Sequence, residues 1–418
     1  MVGPAFTRPM TKGQQRRWNL IAITSVVVAA ILAISAITWI DYPQVPNRDT
    51  LRLSSASRAL ITQAELLPAS GWSRLQGEVL TPAEQQQDQK ELQQAPYQVQ
   101  AGIYATSTSE LDLNVPSYNS NGYIWLRWQE PFQNYLERTN STIGQRMVLL
   151  NRLISDADPS LQAIGEKPEK TEDGSYYQLF AFKGRYYINK ASFRHYPFMT
   201  VSLPLALEPD DVDGQLDYTQ LRLEPDIQNS GMGLYAQIIG WLNHGWSIAE
   251  YRHHYATNFG LGGPESDYSQ VLFEISFGTS AWASFWRFLL PLAVVMSMVL
   301  LVFKVRSDEQ DARASIPVTV LLTLVFLQQG YRAQLPDLPF LTFLDQVYVV
   351  AYVVTLVAFV LVIWIGRRYE SMEQLPEGPA KQLLLQRLDR LDVIWPMLVV
   401  VLGAGAIVAC WLTLPAGS

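Results

Sequence analysis

The sequence predicts a multidomain membrane protein: an all-β sandwich outside the membrane, an α-helical transmembrane bundle of four helices, and an additional N-terminal transmembrane helix. Three observations predict it. The chain has 418 residues, 49% hydrophobic and only 17% charged; this is a membrane-protein balance, in a chain too long for one small domain. Five uncharged stretches, residues 20–40, 288–303, 314–331, 347–365 and 393–414, reach spanning length or nearly so. Between the first and the second, short apolar/polar alternations are separated by turns, as in a sandwich. The expected division is a cytoplasmic N-terminus over 1–18, a membrane anchor over 19–40, a tether over 41–95, a β-sandwich over 96–284 and a helical domain over 285–414. Its four spans are placed at 286–303, 314–333, 345–366 and 392–414.

Orientation follows from the basic residues that flank the spans. Lys12, Arg16 and Arg17 precede the first; Lys304, Arg306 and Arg313 lie between the second and third; Arg367, Arg368, Lys381, Arg387 and Arg390 lie between the fourth and fifth. Those regions are expected in the cytoplasm, which puts the sandwich and the 332–345 loop outside. The first stretch also has the basic start of a signal peptide, but its length suits an uncleaved anchor, and Ser35-Ala36-Ile37 is a poor cleavage site. The single cysteine, Cys410, rules out an intrachain disulfide and reads as apolar filler. The net charge of −7 has no patterned cluster, and nothing resembles a nucleic-acid surface.

The tether is turn- and Gln-rich, with one helix expected near 56–66 and a solvated linker or short helix in EQQQDQKELQQ. From Tyr97 the texture becomes β, with strands expected at 98–106, 122–128, 176–182, 200–207, 234–241 and 268–277. Catalytic patterns are missing. There is no metal-spaced His/Cys set among the four histidines, and no nucleophile-elbow, Walker or dinucleotide loop, so neither an enzyme nor a cofactor is expected. Asp210, Asp211 and Asp213 form an acidic turn with the carboxylates of a weak Ca²⁺ candidate; the competing reading is a solvated Asp/Gly turn. His253 and His254 could sense pH, but neighbours on a strand point to opposite faces and do not share a ligand. Asn140-Ser-Thr is a formal glycosylation sequon. Trp125, Tyr218, Tyr251, Tyr255, Phe259 and Tyr268 are candidates to box an organic cation through their ring faces; the alternative is core packing.

The third stretch is the most informative. Residues 315–340 read SIPVTVLLTLVFLQQGYRAQLPDLPF. Each helical residue turns ~100°, so Ser315, Thr319, Leu322, Phe326 and Gln329, spaced four, three, four and three, share one narrow face. A lone helix in lipid has no reason to order hydroxyls, apolar side chains and an amide in this way. A helix lining a water-filled pore does: it wets at its polar ends and is shut by dewetting at an apolar ring. The alternative is a helix buried in a bundle, with Ser and Thr bonded back to its own backbone.

These residues carry a resemblance. ASIPVTVLLTLVF, then Leu335-Pro336, Leu338-Pro339-Phe340-Leu341-Thr342 and Asp345, together with Pro291 in FLLPLAVV, resemble the pore helix, following loop and preceding helix of prokaryotic pentameric ligand-gated ion channels, the bacterial branch of the Cys-loop receptor superfamily. Outside, residues 122–128, the 194–203 segment RHYPFMTVSL, and residues 255–259 with the Gly-rich hairpin and Tyr268-Ser-Gln-Val resemble that family's early strands, its Phe-Pro-Phe-Asp loop and its ligand-capping hairpin. The likeness runs from about residue 97 to 414. Tyr196 stands where the family has Phe and Met199 where it has an acid; the cysteine pair is absent, as in prokaryotic members; the first span and the tether have no counterpart.

The resemblance implies a Cys-loop-receptor-like sandwich and a homopentamer in the bacterial inner membrane, opened by an unknown small-molecule ligand or protons. Its partners would be membrane lipid, inorganic ions and copies of itself. Asp311 joins the pore face at the inner mouth. A loop position is expected for it, because Pro317 suits a helix's first turn and sets the helix start near Ser315. Asp308, Glu309 and Asp311 imply cation selectivity, with Arg306 and Arg313 near enough to cancel it. Pro197 and Phe198, with Leu335, Pro336 and Phe340, are the expected coupling residues. A non-conducting membrane sensor and a transporter with a periplasmic cap are the rival readings.

Overall fold

The computed structural model describes residues 50–53, 60–61, 78–79, 82–153, 160–260, 265–305, 309–373 and 378–414. The expected N-terminal anchor lies outside the described residues, as do Arg306 and Asp308. The chain divides into two compact units. One holds the β-strands; the other holds Arg194–Pro197 and the helices that follow residue 280.

In the β unit, the first sheet runs β3 (Glu78–Val79), β1 (Thr50–Leu53), β13 (Leu242–Tyr255), β14 (Ser266–Gly278), β10 (Thr200–Pro209), β6 (Met147–Leu149), with β2 (Leu60–Ile61) also on β13. The second runs β11 (Leu221–Pro225), β4 (Tyr97–Asp112), β5 (Ser117–Trp128), β9 (Tyr176–Tyr187), β7 (Arg152–Leu153); β12 (Gly231–Tyr235) adds to β4, and β8 (Gln162–Lys170) to β9. Alternate side chains meet between the sheets. Val99, Ile103, Ile124, Leu126 and Trp128 from one side and Val201, Leu203, Leu205, Val271, Phe273 and Ile275 from the other build a single buried core. One charged pair crosses it: Arg222 Nε lies 2.7 Å from Glu250 Oε1, and both side chains are fully buried.

The segment read as a tether supplies β1, β2 and β3 and the helix α1 (Pro82–Gln94). Of the helix expected near 56–66, the two described residues, Leu60–Ile61, are strand instead. The strand expected at 234–241 ends at Tyr235; beyond it Trp241 N–H bonds Ile238 O in a turn carrying Gly240 at φ +91°, and the long strand β13 begins at Leu242. The helix α2 (Glu130–Arg138) closes one end of the core with Phe132, Tyr135 and Leu136.

The helical unit contains four helices long and apolar enough to cross a membrane: α3 (Ala281–Lys304), α4 (Gln310–Arg332), α5 (Phe343–Glu373) and α6 (Pro379–Leu412). α4 packs on α3 and α5, and α5 on α6. Asp311 is in the first helical turn rather than in a loop, because α4 starts at Gln310 and continues through Pro317. A proline interior to a helix removes one backbone bond; here the helix continues on the bonds around it, including Arg313 N–H to Glu309 O at 3.1 Å.

Candidate functional site

Three groups of side chains stand out, one on α4, one in the segment Arg194–Pro197 and one on the β unit.

On α4, Asp311, Ser315, Thr319, Leu322, Phe326 and Gln329 are all exposed, while Arg313, Pro317, Val320, Leu324 and Tyr331 are buried against neighbouring helices. The six fall within about 80° of arc at ~100° per residue. Leu322 and Phe326 in the middle are 57% and 67% exposed, far more than an apolar side chain in a bundle interior. The hydroxyls bond back to the helix: Ser315 Oγ to Ala312 O at 2.9 Å, Thr319 Oγ1 to Ser315 O at 3.0 Å. Back-bonding, the mark of the bundle-interior alternative, is thus present, but burial is not. The back-bonded oxygens keep lone pairs directed outward. The contrast with α5 and α6 shows how unusual this face is; α3 exposes one mid-helix hydroxyl, Ser297, bonded back to Val294 O at 2.6 Å. The exposed residues in the middle of α5 (Leu356, Val360, Ile363) and of α6 (Met397, Val401, Val408) are apolar throughout, as lipid contact requires. Of the two cations near the start of α4, Arg306 is outside the described residues and Arg313 is 2% exposed, turned away from the face that carries Asp311.

Arg194–Pro197 touches every described helix of its unit. The Arg194 guanidinium lies 4.2 Å over the Phe340 ring. His195 meets Trp411 of α6 edge-on at 6.0 Å. Tyr196 packs on Phe288 of α3 at 5.3 Å and stacks on Tyr331 of α4 at 6.0 Å, and its carbonyl accepts Leu344 N–H of α5 at 3.1 Å. Pro197 O accepts Ser284 Oγ at 2.9 Å. Of the expected coupling residues, Pro197, Leu335, Pro336 and Phe340 belong to this unit and Phe198 to the β unit. Sequence reasoning placed Arg194, His195 and Tyr196 in the loop-like 194–203 segment but not among the coupling residues; their aromatic and cationic character next to Pro197 was the available signal. Beside them Asp345 is nearly buried and fully bonded: it accepts from Tyr331 Oη, from Arg332 Nε at 2.9 Å, and from Thr342 N and Oγ1 at 3.0 and 2.9 Å. Asp345 N–H in turn bonds Thr342 Oγ1, the reciprocal pairing of a capping box that starts α5.

On the β unit, Tyr255, Phe259 and Tyr268 do come together, with both partner rings 5.7 Å from that of Tyr255. Tyr255 also bonds a buried carboxylate. Glu208 accepts Tyr255 Oη at 2.7 Å and Gln270 Nε2 at 2.9 Å, and His253 Nδ1 lies 2.7 Å from Glu208 Oε2. The register makes this one face of one sheet: His253 is opposite Tyr268, and Tyr251 opposite Gln270. The spacing 251/253/255 and 268/270 could have shown it. Tyr268 Oη reaches Asp211 at 3.4 Å; burial, and then that carboxylate, raise the phenol's pKa, and burial raises that of Asp211.

The other three aromatic candidates lie elsewhere. Trp125 is on the second sheet, flat over Gly102, where a Cβ would come within 2.0 Å of the ring, with Nε1 bonded to Asp226 at 2.9 Å. Tyr218 is buried between the guanidinium groups of Arg222 and Arg252, at 4.0 and 4.8 Å. Tyr251 is buried with Ala206, Ala249, Leu272 and Leu51. His253 and His254 point to opposite faces, the latter bonded to Asp267 and Glu265 at 2.7 and 3.0 Å. In the acidic turn Asp213 is neutralised by Arg146 at 3.0 Å and bonded by Tyr135, and Asp211 is occupied by Gln215 N–H and Tyr268. Among the described residues no three His, Cys, Asp or Glu side chains gather as metal ligands would, so the Ca²⁺ candidate has no geometric support. No protein-family model and no curated protein matches the chain. A β-rich N-terminal domain followed by four apolar helices is compatible with the layout of a pentameric ligand-gated channel.

Proposed function

We propose that the chain is one subunit of a homopentameric, cation-selective ligand-gated channel of the bacterial inner membrane, with α4 lining the ion path. The observation that carries this reading is the exposed face of α4: a carboxylate, two hydroxyls, two large apolar side chains and an amide, in a unit whose α5 and α6 expose only apolar side chains at mid-helix. Lipid gives no reason for that order, and a wet axis does. Leu322 and Phe326 form the closed gate. Water confined between apolar rings loses hydrogen-bond partners, so the constriction dries before it closes sterically.

Selectivity follows from Asp311. A cation on the axis about 7 Å from one carboxylate gains roughly 0.6 kcal/mol even at the dielectric of water. Five copies give roughly 3 kcal/mol, on the order of 100-fold local enrichment before salt screening. The buried Arg313 is turned off that axis and subtracts little. The stimulus acts on the β unit, where Tyr255, Phe259 and Tyr268 offer ring faces to a small cationic ligand. A ligand moves the gate only by its differential affinity for the open and closed states.

Recordings from the purified protein in planar bilayers test this. Leu322→Ser is expected to raise the open-to-closed ratio by on the order of 10- to 100-fold, since even about 0.5 kcal/mol per copy is multiplied five times. The reversal potential in a salt gradient should follow the cation. Absence of any conductance would return the chain to the sensor reading; a reversal potential near that of chloride would overturn the role of Asp311.

A further inference from the structure

The N-terminal segment supplies an edge to the sheet that carries the aromatic site. β1 pairs antiparallel with β13, Leu51 opposite His253 and Arg52 opposite Arg252. β2 covers the same edge further along, Leu60 opposite Ile248 and Ile61 opposite Ser247. A third tie comes from α1, whose Glu91 lies 3.6 Å from Arg252. All three act on the one strand that contributes His253 and Tyr255 to the site. Leu51 packs on Ala206, Ala249, Tyr251 and Leu272, the apolar patch adjoining Glu208 and Gln270 on the same face. Without these residues β13 would be a 14-residue edge strand with a row of unsatisfied backbone groups.

We propose that β1 is a strap: it holds the β13–β14 hairpin from behind and sets how readily the aromatic site on that hairpin rearranges. Any swing of the β13–β14 hairpin moves β13 against its neighbours, and on the outer side that neighbour is a strand only four residues long. Among the described residues, beyond β1 lies only the two-residue β3, and a sheet margin made of strands this short opens locally at low cost, at the low-stability end of the native ensemble. β1 therefore yields before the long β13–β14 and β10–β14 ladders do. Pairing with β1 favours the hairpin position seen here, and release of β1 frees the hairpin without unfolding the sandwich. As a regulator of the aromatic site, the strap rests on the receptor reading above; as a restraint on the hairpin, it does not.

Hydrogen exchange on the full-length protein separates the two. Leu51→Asp places a charge in the apolar patch and releases β1; Glu91→Gln removes only the ion pair to Arg252. In Leu51→Asp the amides of residues 250–255 should exchange faster by about 10-fold or more, while those of residues 99–105 and 201–207 keep the wild-type rate. Glu91→Gln should give a smaller acceleration at the same residues. Unchanged exchange at 250–255 in Leu51→Asp overturns the strap. Equal acceleration at 99–105 overturns it too, because β1 would then be part of the global fold rather than a local restraint. A protein that conducts no ions but shows the local acceleration keeps the strap and loses the channel; a conducting protein with unchanged exchange does the reverse.

Discussion

Glu250 shows how a single residue can matter more to this sandwich than its place in the sequence suggests. It is buried with Arg222, accepts Arg222 Nε at 2.7 Å, Nη2 at 3.1 Å and Ser269 Oγ at 2.5 Å, and Tyr218 covers the guanidinium. Removing one partner of such a pair leaves an uncompensated buried charge, which costs about 3–5 kcal/mol, whereas replacing both by apolar groups is often neutral. Arg222→Met should therefore lower unfolding stability by about that amount, and Arg222→Met with Glu250→Leu should recover most of it, measured by denaturant titration of the solubilised protein. His195 makes the pH-dependent case. Burial, and then the charge of Arg194, hold its pKa below the ordinary 6.5, and it packs on Trp411. A depressed pKa means stability that is present above about pH 6.5 and lost as pH falls through the lowered value. The melting temperature should fall between about pH 7 and about pH 5 in the wild type and fall less in His195→Gln, which cannot titrate. Equal slopes would mean that the imidazole is not the group responsible. Neither effect was legible beforehand, because both depend on which distant residues meet: Arg222 with Glu250, and His195 with a tryptophan near the other end of the chain.

At the scale of elements, legibility tracked length. The strands at 98–106, 122–128, 176–182, 200–207 and 268–277 repeat an apolar residue often enough to be recognised, and each lies within an observed strand. α4 was the clearest, since its five spaced residues lie on the face that the other helices leave open. β1, β2 and β3 were unreadable for a physical reason. A strand of two to four residues has no period to detect, and β1 and β2 exist only because β13 offers an edge to pair with. The aromatic site was half legible: Tyr255, Phe259, Tyr268 and Gln270 are near in sequence, whereas Glu208, 47 residues before Tyr255, completes it only through strand pairing. The corner between α4 and α5 belongs to the same scale. Tyr331 and Arg332 end one helix, Thr342 and Asp345 begin the next, and the carboxylate joins them. Tyr331→Phe deletes one hydrogen bond to a charged acceptor while leaving the ring stacked on Tyr196, so it should cost about 1.5–3 kcal/mol and lower the melting temperature. An unchanged melting temperature would show that Arg332 and Thr342 suffice to hold Asp345.

The whole molecule poses the question of what covers the α4 face. Its charge and amide at the ends argue against acyl chains, and its central Leu322 and Phe326 argue against free exposure to water. A closed ring of identical copies resolves both demands, because a head-to-tail contact that closes on itself gathers one face from every copy around an axis. Such a ring predicts an order of reactivity. Single cysteines placed along α4 in a Cys410→Ala background should react with a water-soluble thiol reagent at 315, 319 and 329, weakly at 322 and 326 while the gate is dry, and not at 320 or 324, which pack against neighbouring helices. Opening by Leu322→Ser should make 326 reactive as well. A face turned to lipid would give the opposite pattern, with a membrane-soluble maleimide labelling 318, 322 and 326 and the charged reagent labelling none of them. Oxidative cross-linking at 322 separates a shared axis from a solitary wet groove: only copies that meet around a common path form covalent dimers there, and monomers alone on a denaturing gel would remove the pore from this chain.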